Sequence, residues 1–132
     1  MTRITRGDPP GFKNVRKTVY HHYVRVDDAR SLIFLSGQLA RDADGKLVGP
    51  GDMAEQTRQC IRNMRTVLEA AGGTLADIVS TVVYTTDIRQ LKEIVAARTE
   101  FFPLILPTST MVEVNHLADP GLLVEIQATA AL

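Results

Sequence analysis

The chain has 132 residues, 45% of them hydrophobic and 23% charged, with 15 Lys/Arg balanced by 15 Asp/Glu. That balance describes one ordinary globular domain and excludes a disordered, collagenous or coiled-coil chain. The zero net charge and the lack of interleaved basic and aromatic residues argue against nucleic acid as the partner.

The polar N-terminal stretch 1–16 contains Gly7, Pro9, Pro10 and Gly11 and reads as a loosely structured arm. It belongs to a basic segment. Residues 1–30 hold seven Lys/Arg against three Asp, which suits a solvated arm or a rim that attracts an anion. Residues 18–26 are rich in Val and Tyr and read as a strand. Residues 31–40, SLIFLSGQLA, form a stronger strand candidate, and Asp44-Gly45 marks a tight turn after it.

The period then changes. Cys60, Ile61, Met64, Val67, Leu68 and Ala71 recur at helical spacing, which predicts a helix over 53–71. Asp52 supplies an N-cap, with Glu55 placed for a capping box, and Gly72-Gly73 supplies the left-handed stop. Residues 74–77 read as a capped turn. Residues 78–86, IVSTVVYTT, read as a buried strand. Asp87 caps a second helix whose inner face carries Leu91, Ile94, Val95 and Phe101 or Phe102, and Pro103 ends it. Residues 103–107 make a short apolar connection. Two more strands, 109–115 and 122–131, flank a turn at Asp119-Pro120-Gly121. In the last strand Leu122, Val124, Ile126 and Ala128 share one face, and Leu123, Glu125, Gln127 and Thr129 the other.

This order predicts a single α+β domain over 1–132, with four to six strands and two helices on one face of the sheet. Two helices cannot cover both faces, so the other face meets water or another subunit. The single cysteine, Cys60, forms no disulfide within the chain, no apolar run is long enough to span a bilayer, and no secretory signal is visible, so a cytoplasmic protein is expected.

Most catalytic signatures are missing. There is no phosphate-binding loop or dinucleotide fingerprint, and His21, His22 and His116 show no metal spacing with Cys60. Cys60 lies on an apolar helical stripe, where a small buried hydrophobe is expected rather than a nucleophile. Two features remain. Ser36-Gly37-Gln38 ends a strand, and its glycine either makes a bulge or admits a close approach by a ligand. Glu125 sits inside a mostly apolar strand, where a carboxylate is costly unless it is paired, exposed or facing a cavity in which it could move protons.

Several segments, in order, resemble the RidA/YjgF family of reactive imine and enamine deaminases. They are Tyr23-Val24 ahead of Ile33-Phe34-Leu35-Ser36-Gly37-Gln38, then the stretch from Gln56 to Gly72 and that from Leu75 to Asp87, Phe101-Phe102, Val112-Glu113-Val114, and Leu123-Val124-Glu125-Ile126. The resemblance covers residues 20–132. It implies a chorismate-mutase-like fold and a homotrimer with a central β-barrel and clefts between subunits. It further implies hydrolysis of small imines or enamines to a carbonyl product and ammonia, with no metal or cofactor. In that resemblance Glu125 is the catalytic acid, while Gly37, Ser36 and Tyr23 contact the substrate. The family's carboxylate-clamping arginine has its place at Ser109, because the usual Pro-Ala-Arg-Ser reads Pro107-Thr108-Ser109-Thr110 here. A hydroxyl cannot replace a cationic fork. The implied substrate is therefore uncharged, or held by another basic residue such as Arg25. The alternative is a trimer that binds a metabolite without turning it over.

Overall fold

The computed structural model describes residues 2–13, 19–101 and 106–132. Six strands and two helices follow in the order β1 (Arg3–Gly7), β2 (Tyr23–Asp27), β3 (Leu32–Leu39), α1 (Met53–Ala70), β4 (Ile78–Thr85), α2 (Leu91–Phe101), β5 (Thr108–Glu113) and β6 (Val124–Ala131). Four strands form a mixed sheet in the order β3-β6-β4-β5. β6 runs antiparallel to both of its neighbours, and β4 and β5 are parallel. The parallel pair requires a crossover, which α2 supplies.

The expectation of a loose N-terminal arm is corrected for residues 3–7. They pair antiparallel with β2 as a separate two-stranded ribbon, from Arg3↔Asp27 to Gly7↔Tyr23. Five residues ending in Gly7 and followed by Asp8 and two Pro carry little strand signal of their own, so pairing with β2 decides their conformation. Strand β2 also begins later than predicted. His21 and His22 are held outside it by Asp8, whose Oδ2 lies 2.9 Å from His21 Nδ1 and whose Oδ1 accepts from His22 N at 2.8 Å. The predicted strand start at Thr18, the helix stop at Pro103, Phe102 and most of the 103–107 connection lie outside the described residues.

Helix α1 follows its sequence closely. Asp52 Oδ1 accepts from Glu55 N at 3.0 Å, which makes the N-cap. The reciprocal half of the capping box does not form, because the Glu55 carboxylate turns to Arg58 and Arg62 instead. At the other end Gly72 takes φ +89°, and the Gly73 and Gly72 amides donate to Leu68 O and Glu69 O. That pattern closes the helix as a Schellman motif. Met53, Cys60, Ile61, Met64 and Leu68 are buried against the sheet, each contributing about 1.5–3 kcal/mol of apolar burial. Thr74 and Asp77 cap the next turn, as predicted, with Thr74 N donating to Asp77 Oδ2 at 2.7 Å.

The inner face of β6 is as read from sequence: Val124, Ile126, Ala128 and Ala130 are buried in the core. Leu123 departs from the expected alternation. It precedes the strand and packs against the core, with its amide donating to Gln56 and its carbonyl accepting from Thr85. Among the described residues the opposite face of the sheet carries no helix, and Leu32, Phe34 and Val112 are exposed, Phe34 at 75%.

Candidate functional site

The proposed site residues fall into two groups. In the first, β3 changes register against β6 between Leu35 and Gln38, so Ser36 and Gly37 form a bulge. The Glu125 side chain fills the space this opens. A Cβ placed on Gly37 would lie 2.6 Å from both Glu125 Cδ and Oε2. The bulge read from the sequence is present, and the group that comes close to Gly37 is the protein's own Glu125 carboxylate. Among the described residues no cation pairs with Glu125. Gly37 and Gln38 also border an open groove of ≈ 460 Å³ between the end of β3, the 41–43 loop and α1. Ser36 is exposed, and its carbonyl accepts from Gln38 Nε2 at 3.1 Å.

The second group surrounds Ser109 on β5. Ser109 is in register with Thr81 of β4, and Glu125 is in register with Tyr84 of β4. Thr81 and Tyr84 are an odd number of positions apart in an unbroken strand, so they face opposite sides of the sheet. Thr81 is buried beneath the helices, while Tyr84 reaches Gln127 on the open face. Ser109 and Glu125 therefore lie on opposite faces of one chain's sheet. Tyr23 joins neither group: its ring packs over Gly7 across the ribbon, and it is 45% exposed.

Arg25, the basic residue named from sequence as a substitute anchor, is committed elsewhere. It is exposed and donates to Asp27 Oδ1 from Nε at 3.1 Å and Nη2 at 2.9 Å. The cation that reaches Ser109 is Arg98 of α2, which is 1% exposed. Its Nη1 donates to Ser109 Oγ at 2.9 Å, and Nη2 donates to Thr81 Oγ1 at 3.1 Å and Val19 O at 3.5 Å. All three acceptors are neutral. Burial without a counter-charge lowers the guanidinium to about 10. Arg98 was not singled out from the sequence, although it lies four residues from Ile94 and three from Val95 on the stripe predicted to face the core. A basic residue on that stripe was the available signal.

Cys60 is buried, its thiol pushed up to about 12 by burial and then by Glu125, and Sγ contacts Val124 O at 3.6 Å. It is an inert core side chain, as expected. Among the described residues no group of three His, Cys, Asp or Glu gathers that could hold a metal ion, and no helix is long and apolar enough to cross a membrane.

Comparison with known proteins decides the family. The family model described as Endoribonuclease L-PSP matches residues 14–132. This chain belongs to the Rid/YjgF family. A RutC family protein of Pyrococcus horikoshii is 32% identical over 108 residues, covering 82% of this chain and 85% of that protein. Among solved structures, a Rid family protein of unknown function from Yersinia pestis, YyfB, superposes with a TM-score of 0.89. It is 32% identical, with 98% of each chain covered. TdcF of E. coli, solved with bound serine, has a TM-score of 0.71 and 28% identity, over 83% of this chain and 87% of its own. The α+β fold with a mixed sheet and two helices is therefore the Rid fold, and the chain has a RidA-like role in general.

Proposed function

We propose that this Rid chain hydrolyses small imines or enamines, releasing ammonia, as a homotrimer whose sites lie between subunits. The observation that carries this reading is the Glu125 carboxylate held over the Gly37 backbone without a cationic partner among the described residues. A carboxylate so placed is free to act on water. In the proposed step Glu125 takes a proton from water as the oxygen adds to the imine carbon, giving a carbinolamine. That proton passes to nitrogen, and the hydroxyl proton follows through Glu125 as the C–N bond breaks, so a carbonyl compound and ammonia leave.

Trimer formation is supported by the sheet. Its helix-free face exposes Leu32, Phe34 and Val112, an apolar surface suited to burial against another copy. Because Glu125 and Ser109 face opposite ways in one chain, a cleft containing both needs residues from two subunits. TdcF, a relative solved with bound serine, supports a ligand of amino-acid size. Ser109 stands where the resemblance places a clamping arginine, and its hydroxyl already accepts from Arg98. That observation favours a second reading, a trimer that binds a metabolite without hydrolysing it.

Ammonia release from freshly generated imines, with and without a free carboxylate, tests the first reading. Glu125→Ala should lower the rate about 100-fold or more, the scale of a lost general base. Full turnover in Glu125→Ala would sink the mechanism. A bound ligand recovered unchanged would establish the second reading.

A further inference from the structure

A buried guanidinium with only neutral acceptors is an unusual way to use an arginine. Removing an ion from water costs several kcal/mol, and a hydroxyl or a carbonyl recovers less of that than a carboxylate does. All of the chain's Asp and Glu are among the described residues, and none pairs with Arg98. Among the described residues its hydrogen bonds go to Ser109, Thr81 and Val19, none of which carries a charge.

The surroundings of Arg98 are not solid core. Together with Ser109 it borders an open cavity of ≈ 240 Å³ whose other described walls are Val19, Tyr20, Ile88, Leu91, Val95 and Met111. The cavity thus has a mostly apolar lining, with Tyr20 as its aromatic wall, and one cationic end. At the volume a water molecule occupies in the liquid, it has room for about eight non-hydrogen atoms. Ser109 Oγ accepts from Arg98, which leaves the hydroxyl proton for a ligand oxygen. Polar groups converging at one end of an apolar cavity are the usual make-up of a small-molecule site.

We infer that this cavity binds the carboxylate of a small aliphatic acid, with Arg98 of α2 as the charge partner and Ser109 as a neutral donor beside it. The inference deepens the proposed function by giving that site an anion anchor on a different element from the one the family resemblance points to. It makes Arg98 a binding residue and turns the missing clamp at Ser109 into a relocated one. A carboxylate would complete the neutralisation that the protein's own side chains leave undone.

Isovalerate and its neutral amide, isovaleramide, are the probes, and the ¹³C-methyl resonance of Met111 is the reporter. The acid should shift that resonance saturably and bind at least about tenfold more tightly than the amide. Arg98→Met should bring the two probes within about threefold of each other, and Ser109→Ala should weaken the acid by about three- to tenfold. Should Arg98→Met fail to fold, Arg98→Gln keeps donors for Ser109 and Thr81 and should lose the preference equally. Equal binding of acid and amide by the natural protein would overturn the inference, as would a preference for the acid that survives in the Arg98 variants. The readout is independent of turnover. Selective acid binding without ammonia release sinks the hydrolytic reading alone, whereas ammonia release without acid binding sinks this inference alone.

Discussion

The two helices each bury one large polar side chain against the sheet, and they do so in opposite ways. Gln56 on α1 is fully buried and fully used. Its Nε2 donates to Gly49 O at 3.1 Å and Gly121 O at 2.9 Å, and its Oε1 accepts from the Leu123 amide at 2.8 Å. One neutral amide thereby ties the loop before α1 to the start of β6. Arg98 on α2 is just as buried but carries a charge that no described residue neutralises. A satisfied neutral network stabilises, whereas a partly compensated ion costs stability. The first arrangement is what a structural clamp looks like. The second makes sense when something else supplies the missing charge.

The largest expected effect breaks this comparison from the structural side. Gln56→Leu strands the Leu123 amide and the Gly121 carbonyl, while Gly49 O keeps the bond from Asp52 N, so urea denaturation should show a stability loss of about 3 kcal/mol or more. A loss under about 1 kcal/mol would mean that Gln56 is not a clamp. Next, Gly37→Ala should lower ammonia release by about tenfold or more, because its Cβ would displace the Glu125 carboxylate. Stability should change by less than about 1 kcal/mol, since the obstructing atoms belong to the flexible end of a side chain.

Arg98→Met should leave stability within about 1 kcal/mol of the natural protein or raise it, because an apolar replacement removes a buried charge. A loss above about 3 kcal/mol would place Arg98 beside Gln56 as a structural residue. Its pH dependence gives a finer test. The folded-state value of Arg98 is lowered to about 10 by burial, so above that pH the folded state binds fewer protons than the unfolded one. The cost of burying the charge is fully present below about pH 10 and is relieved as pH rises from there toward the ordinary arginine value. Arg98→Met should remove that contribution from the alkaline limb of a denaturation series.

The smallest effect concerns Asp87, at the cap of the turn leading into α2. Bonds from the Arg89 and Gln90 side chains hold its carboxyl at about 2. A lowered acid stabilises the fold above the ordinary carboxylate value and loses that contribution as pH falls toward 2. Asp87→Asn should flatten this part of the acid limb, by an amount that shrinks with added salt because the pair is exposed. Undiminished acid dependence in the variant would assign the limb to other carboxylates.

The local elements were legible because their signals are local. The α1 stripe, the Asp52 cap, the Gly72-Gly73 stop and the alternation of β6 all arise within a few residues, and the structure reproduces them. Segment order also carried the family resemblance, and with it Glu125 and Gly37 as candidate site residues; their contact came only from the structure. Ribbon strand β1 was not legible, because five weakly patterned residues become a strand only through β2. The polar members of the two inner stripes were not legible as a pair either. Gln56 and Arg98 sit at helical positions that sequence marks only as core-facing. What distinguishes them is which groups the sheet brings to meet them, and that is decided by register between strands distant in sequence. Register also sets Ser109 and Glu125 on opposite faces of the sheet, and it brings Arg98 rather than Arg25 to Ser109. Sequence by itself determined the two helices, the main sheet strands and the family; tertiary structure decided the ribbon strand β1 and which cation stands beside Ser109, because a side chain's partner depends on packing across the whole chain.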